Sequence, residues 1–433
     1  MNGHSLGRRN ALRRLGAAGT LGTTALLAAC AQRPAAPARE MIEPIADNPL
    51  DTTARNQAAT LRSIERLAPT RTILAGGVPL PLPRHRIDLA AGVHAYEYRG
   101  ASYTIDDFLR RHRVSGVLVL KDGEVALERY AMGNSPHTRW TSFSVAKSIL
   151  STLVGAALRD GSIASLEDSA DRYVGPLRGS AYGESPLRDL LCMTSGVEWD
   201  EDYSILRGSD ILRFAHAIEA RRTGAVMELM RSRRRAAPSG AVFNYSTGDT
   251  YVLGAVVAAA TGGNLSDYLS RTVWARMGME HDAYWLLDAP DGLETGGNEI
   301  SATLRDFGRF GLFFLNGGRI GAEEMLAPGW RDIATRPHTA VASYGQVDDD
   351  PLGFGYLWWC FPEGDGALPH HDGAFTAQGI FGQFLYINPA ERVVAVVWSA
   401  WRSPWDDNAE METYAFLGSA VARLQGQPGM GEL

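Results

Sequence analysis

The chain has 433 residues, 45% of them hydrophobic, and a formal net charge of −7. That supplies core material for a large folded unit and excludes both a disordered chain and a polycation built to hold nucleic acid. Among its 42 basic residues only Lys121 and Lys147 are lysines, so each retained ammonium asks for a reason.

At the N-terminus, Arg8-Arg9-Asn10-Ala11-Leu12 precedes an apolar run from Leu15 to Ala29 that ends in Leu27-Ala28-Ala29-Cys30. The run is too short and too small in its side chains for a stable spanning helix, so residues 1–29 read as a signal peptide. The paired arginines look like a twin-arginine export signal and L-A-A-C looks like a bacterial lipobox. Together they imply lipid on Cys30 and a membrane-tethered protein on the periplasmic side. The alternative is an ordinary cleaved signal with an incidental Cys. Residues 30–66 are rich in Ala and Pro, with Pro34, Pro37, Pro44 and Pro49, and read as a spacer or an extended arm lying on the domain. Residues 67–433 remain for the folded domain. Its thiols, Cys192 and Cys360, would be free to pair in an exported protein, although buried free thiols are the simpler reading.

Within the domain, Gly116 to Val125 predicts a hairpin turning at Asp122-Gly123. Next comes Ser142-Phe143-Ser144-Val145-Ala146-Lys147-Ser148, running into an apolar helix that stops at Asp160-Gly161. Ser144 and Lys147 stand three apart and share a helix face at an N-terminus, where unpaired N–H groups favour developing negative charge. An Arg there would stay charged, whereas a crowded ammonium can lose its proton and serve as a base. The simpler alternative is a capping Ser beside a solvated Lys.

Further on, Leu190 to Val197 leads into the acidic-aromatic Glu198-Trp199-Asp200-Glu201-Asp202-Tyr203. The basic run Arg231 to Arg235 reads as a solvated loop. Phe243-Asn244-Tyr245-Ser246-Thr247-Gly248 opens another apolar helix, closed by Thr261-Gly262-Gly263. Strands are expected from Gly379 to Ile387 and from Arg392 to Ser399, then a helix from Ala409 to Leu424. The hairpin, these strands and the last helix should build one antiparallel sheet flanked by helices, with a mostly helical region over about 151–293. Ser144 and Tyr245 should meet at the boundary between the two.

In order and spacing these blocks resemble the serine β-lactamase and penicillin-binding-protein superfamily, in its class C-like and esterase branch, and most closely the 6-aminohexanoate-dimer hydrolases. The resemblance spans roughly Arg84 to Leu424. It implies an α/β (α+β) fold of the β-lactamase/transpeptidase type, a Ser144 nucleophile, Lys147 as its base and Tyr245 as a proton relay to the leaving group. It also implies an oxyanion hole from the backbone N–H groups of Ser144 and Ile380. The same resemblance makes Tyr203 the candidate for an aromatic lid over substrate. Beside it, Trp199 and the acidic neighbourhood suit a substrate ending in an ammonium, with Asp210 as a possible carboxylate for it, although a solvated acidic loop is the simpler reading of Asp210.

Two departures bear on the substrate. The family's K-T-G is here Ala377-Gln378-Gly379, and its Y-x-N is Tyr245-Ser246-Thr247. Both remove groups that hold a β-lactam or a cell-wall peptide, so small esters and linear amides are the expected substrates. A β-lactamase or D-alanyl-D-alanine carboxypeptidase is the alternative, and a non-catalytic scaffold of the same fold is a third reading. No cofactor, metal or nucleic-acid partner is expected: His370-His371-Asp372 lacks further ligands at metal spacing. His371-Asp372-Gly373 reads instead as the turn before the oxyanion strand, with His371 orienting the site through a hydrogen bond.

Overall fold

The structure is a computed structural model that describes residues 45–46, 48–50, 52–91, 95–204, 208–338, 352–364 and 368–426. The twin arginines, the apolar run and Cys30 lie outside the described residues. All described residues belong to one unit, Glu43–Leu433.

Its centre is a seven-stranded antiparallel sheet. In spatial order the strands are Gly353–Phe354, Trp359–Cys360, Phe375–Gly379, Gln383–Asn388, Val393–Ser399, Val114–Lys121 and Glu124–Tyr130. The hairpin at Asp122-Gly123 supplies the last pair, with Lys121 opposite Glu124. Val114–Lys121 and Val393–Ser399 are buried along their whole length, which is why they read as continuous apolar runs rather than alternating ones.

Register explains the double coverage. Leu385 pairs with Val396 and Ile387 with Val394, while Leu118 and Leu120 face the same two valines from the other side. These residues share one face, and the helix Leu304–Leu315 lies on it through two glycines. A Cβ on Gly308 would stand 2.6 Å from Leu118, and one on Gly311 would stand 2.4 Å from Val394. Phe384 and Tyr386 point to the opposite face, where Phe384 meets Tyr414 of the C-terminal helix Asp407–Leu424.

A second sheet orders Thr70–Ile73, Ala283–Leu286, Ile300–Thr303 and Arg139–Thr141. It leads directly into the turn before Ser144, whose Ser142 N–H donates to the Ile300 carbonyl at 2.9 Å. Most of the helices lie between Val145 and Trp274, in the expected helical region.

The folded part begins earlier than the boundary expected at residue 66. Gln57–Leu61 is a helix with all five residues buried, and Gln57 Nε2 donates to the Trp401 carbonyl at 2.8 Å. Ala58, Leu61 and Ile64 recur at helical spacing and are buried in the core, a short signal hidden by the Pro-rich stretch before it. Cys192 and Cys360 are buried free thiols, each pushed up to about 12 by burial.

Candidate active site

Ser144 is the N-cap of the helix Val145–Arg159 and follows Phe143, which adopts φ +44. A non-glycine residue in that left-handed region marks a strained, tight turn. The turn bonds the Val145, Ala146 and Lys147 N–H groups back to Ser142, Phe143 and Ser144. Among the described residues the Ser144 N–H has no protein acceptor, so it is open to a ligand.

The strand Phe375–Gly379 closes against this turn. A Cβ on Gly379 would fall 2.4 Å from Ser142 O and 3.1 Å from Ser144 N, so only glycine allows the approach that brings Ile380 beside Ser144. That strand is internal to the sheet, between Trp359–Cys360 and Gln383–Asn388, and not the edge strand that the family resemblance implies. Its neighbour Trp359–Cys360 pairs only with Phe375 and Thr376, however, which leaves the Ala377–Gly379 end uncovered on the Ser144 side.

Lys147 is 2% exposed. Its Nζ donates to Ser144 Oγ at 3.0 Å, Thr247 Oγ1 at 3.0 Å and the Gly297 carbonyl at 3.1 Å. Gly297 is needed at that distance, because a Cβ there would meet Lys147 Cγ at 2.4 Å. Burial pushes the ammonium down to about 8, against the opposing pull of Glu201. Tyr245 completes the group. Its hydroxyl bonds to Ser144, its ring lies 5.1 Å from Lys147 Nζ, and it stacks on Trp359 at 6.0 Å. Burial raises its phenol, so it is a neutral hydroxyl able to pass a proton.

Glu201 and Thr247 are the functional residues that sequence reasoning missed. Thr247 starts the helix Thr247–Thr261, and its hydroxyl donates to Glu201 Oε1 at 2.5 Å, which turns a lone pair toward Lys147. The same carboxylate accepts from Tyr203 OH at 2.8 Å, from the Thr247 N–H at 3.0 Å and from the Trp199 indole N–H. Thr247 therefore occupies the third position of the Tyr-Ser-Thr triplet and reaches the lysine. The available signals were that triplet and the acidic-aromatic segment, in which Glu201 was one of several equivalent carboxylates.

The remaining candidates divide. Tyr203 lines two cavities that meet at Ser144. The larger, about 190 Å³, is walled by Ile64, Leu67, Ile211, Phe214 and Leu286. The smaller, about 50 Å³, is lined by Tyr245, Trp359, Gln378 and Trp405. Trp199 is buried behind Glu201 and holds it, without lining either cavity. Asp210 also lines neither; it pairs with Arg213 at 2.9 Å and Arg233 at 2.5 Å, so its charge is already answered. The basic run is a solvated loop only in part: Arg231, Arg234 and Arg235 are exposed, but Arg231 and Ser232 end the helix Ala225–Ser232, Arg233 is tied to Asp210, and Arg235 donates to the Ser195 and Ala181 carbonyls. His371 is buried behind the strand Phe375–Gly379, sharing hydrogen bonds with Tyr386 OH at 2.9 Å and Tyr414 O at 3.1 Å. Burial pushes its imidazole down to about 4. It reaches the site only indirectly, since Tyr414 OH accepts from Gln378 at 2.6 Å.

The chain is 29% identical over 296 residues to a 6-aminohexanoate-dimer hydrolase from Paenarthrobacter ureafaciens, covering 66% of this chain and 72% of that protein. A solved structure from Bacillus anthracis, described as a candidate 6-aminohexanoate-dimer hydrolase, superposes with a TM-score of 0.75 at 21% identity, covering 90% of this chain and 100% of its own. EstCE1, a hydrolase with promiscuous acyltransferase activity, superposes at 0.58 with 17% identity, covering 73% and 96%. A class C beta-lactamase from Rhodobacter sphaeroides gives 0.54 with 16% identity, covering 74% and 97%. These likenesses carry the fold. The family model for Beta-lactamase matches residues 101–420, most of the chain, and so this protein belongs to the beta-lactamase family as a hydrolase of that superfamily.

Proposed function

We propose that the protein is a serine hydrolase that cleaves small carboxylic esters and linear amides through an acyl-enzyme on Ser144. The observation that carries this reading is a buried amine, held near a pKa of 8, at 3.0 Å from the Ser144 hydroxyl. Ser144 Oγ attacks the carbonyl while its proton passes to Lys147. The N–H groups of Ser144 and Ile380 stabilise the oxyanion by about 3 kcal/mol each. On collapse the C–O or C–N bond breaks, and the leaving group takes a proton from Lys147 through the Tyr245 hydroxyl. Water then attacks the ester carbon, gives a proton to the same pair, and Ser144 leaves with its proton restored. Because Tyr245 lines the smaller cavity, the leaving group belongs there and the acyl arm in the larger one. Trp359 and Gln378 line the leaving-group side.

The test is hydrolysis of p-nitrophenyl acetate and butyrate, the linear 6-aminohexanoate dimer, nitrocefin and a D-Ala-D-Ala peptide by wild type and Ser144→Ala. Ester or linear-amide turnover lost in the variant is expected. Nitrocefin or peptide turnover as the main activity would replace this reading with a cell-wall one.

A further inference from the structure

The larger cavity is apolar along most of its wall, and Glu299 is an exception to that pattern. Glu299 is only 9% exposed. Its backbone is fixed by a bond from its N–H to Phe143 O at 3.3 Å and by one from Leu286 N–H to its carbonyl at 3.1 Å. It is held at φ +50, a left-handed conformation that a non-glycine residue adopts at a cost on the order of 1 kcal/mol. Among the described residues its carboxyl has no hydrogen-bond or ion-pair partner. A buried polar group left without one costs about 1–3 kcal/mol and calls for an explanation.

The surrounding charges do not supply that partner. Glu294 pairs with Arg71 at 2.8 Å, and Asp288 accepts from Tyr251 at 2.7 Å. At the cavity mouth Glu219 accepts from Asn48 at 2.7 Å, and Arg221 donates to the Leu67 carbonyl at 3.0 Å. Lys147 is turned to Ser144, and Asp210 is tied to its two arginines. Burial alone pushes the Glu299 carboxyl up to about 7, so above that pH it is a carboxylate facing a mostly apolar cavity, and the one cation lining that cavity, Arg221, is bonded to the Leu67 carbonyl rather than to Glu299.

We propose that Glu299 determines acyl specificity by receiving the ammonium end of a linear ω-aminoacyl arm whose carbonyl lies at Ser144. The proposal rests on the acyl-enzyme reading above. Methylene groups match the walls of Ile64, Leu67, Ile211, Phe214 and Leu286, and the ammonium supplies the missing partner. An alkyl arm without it leaves the carboxylate desolvated, and an arm ending in a carboxylate is repelled.

The experiment compares methyl 6-aminohexanoate with methyl hexanoate at about pH 8.5, where Glu299 is ionised and Lys147 is mostly neutral. Methanol release is followed for wild type and Glu299→Gln, with thermal melting to establish that the variant is folded. A higher kcat/KM for the amino ester is expected in wild type, and the amino-to-alkyl ratio should fall at least tenfold in Glu299→Gln. An unchanged ratio in a folded variant overturns the proposal, as does a wild type without preference. p-Nitrophenyl acetate, too short to fill the cavity, reports the serine machinery separately. If its turnover depends on Ser144 while the amino ester is not preferred, the specificity proposal fails and the hydrolase reading stands. If wild type turns over none of the three esters, both fail.

Discussion

At the scale of single residues, the proposed hydrolysis turns on the proton inventory of Lys147. A base must be neutral to accept the Ser144 proton, and burial brings the ammonium to about 8. Below that pH Lys147 is charged, so kcat/KM for p-nitrophenyl butyrate should fall about tenfold per unit and level off above it. Lys147→Arg, which cannot deprotonate, should lose at least about a thousandfold while remaining folded. Glu201 acts on the same group through Thr247 and through its field. Because its charge raises the Lys147 pKa, Glu201→Gln should move the acid limb to lower pH and, by loosening Thr247 and Tyr203, reduce kcat by about ten- to a hundredfold. A kcat loss with the limb unmoved would make Glu201 a packing residue only.

At the scale of elements, the site is a meeting of three chain segments, and glycines permit the approach. The Ser144 turn, the end of Phe375–Gly379 and the loop at Gly297 lie closer than any Cβ would allow. Gly379→Ala sets a methyl 2.4 Å from a backbone oxygen, so the strand must shift and carry the Ile380 N–H with it. In the proposed mechanism, an oxyanion donor displaced in this way costs on the order of a hundredfold in kcat. Steady-state kinetics with a melting curve should show that loss with a stability change of only about 1–3 kcal/mol. The motifs that frame these segments were legible in the sequence, since helix stops, the Asp-Gly turn and S-x-x-K are local signals. The closeness itself was not, because a glycine required by another segment looks like any other glycine.

At the scale of the whole molecule, the segment expected to be a spacer or an extended arm lying on the domain packs into the fold at Gln57–Leu61. Ala58, Leu61 and Ile64 each contribute on the order of 1–3 kcal/mol by burial, and Ile64 and Leu67 wall the larger cavity. A chain starting at Glu43 should melt within a few degrees of the chain starting after Cys30. One starting at Leu67 should melt at least about ten degrees lower, or fail to fold, since the loss is a large part of a typical 5–15 kcal/mol. Calorimetry on the two truncations decides between an arm and a spacer.

Local chemistry written in consecutive residues was readable from the sequence alone: the Ser144–Lys147 pair, the Tyr245 junction, the hairpin and the strand runs depend on neighbours within one turn or one register. Tertiary structure decided the partners. It tied Asp210 to Arg233, set His371 behind the strand, gave Glu201 rather than its acidic neighbours to Thr247, and left Glu299 facing a cavity. Which carboxylate is neutralised and which stays unpaired depends on segments far apart in the chain coming together, and no periodicity or spacing along the chain encodes that approach.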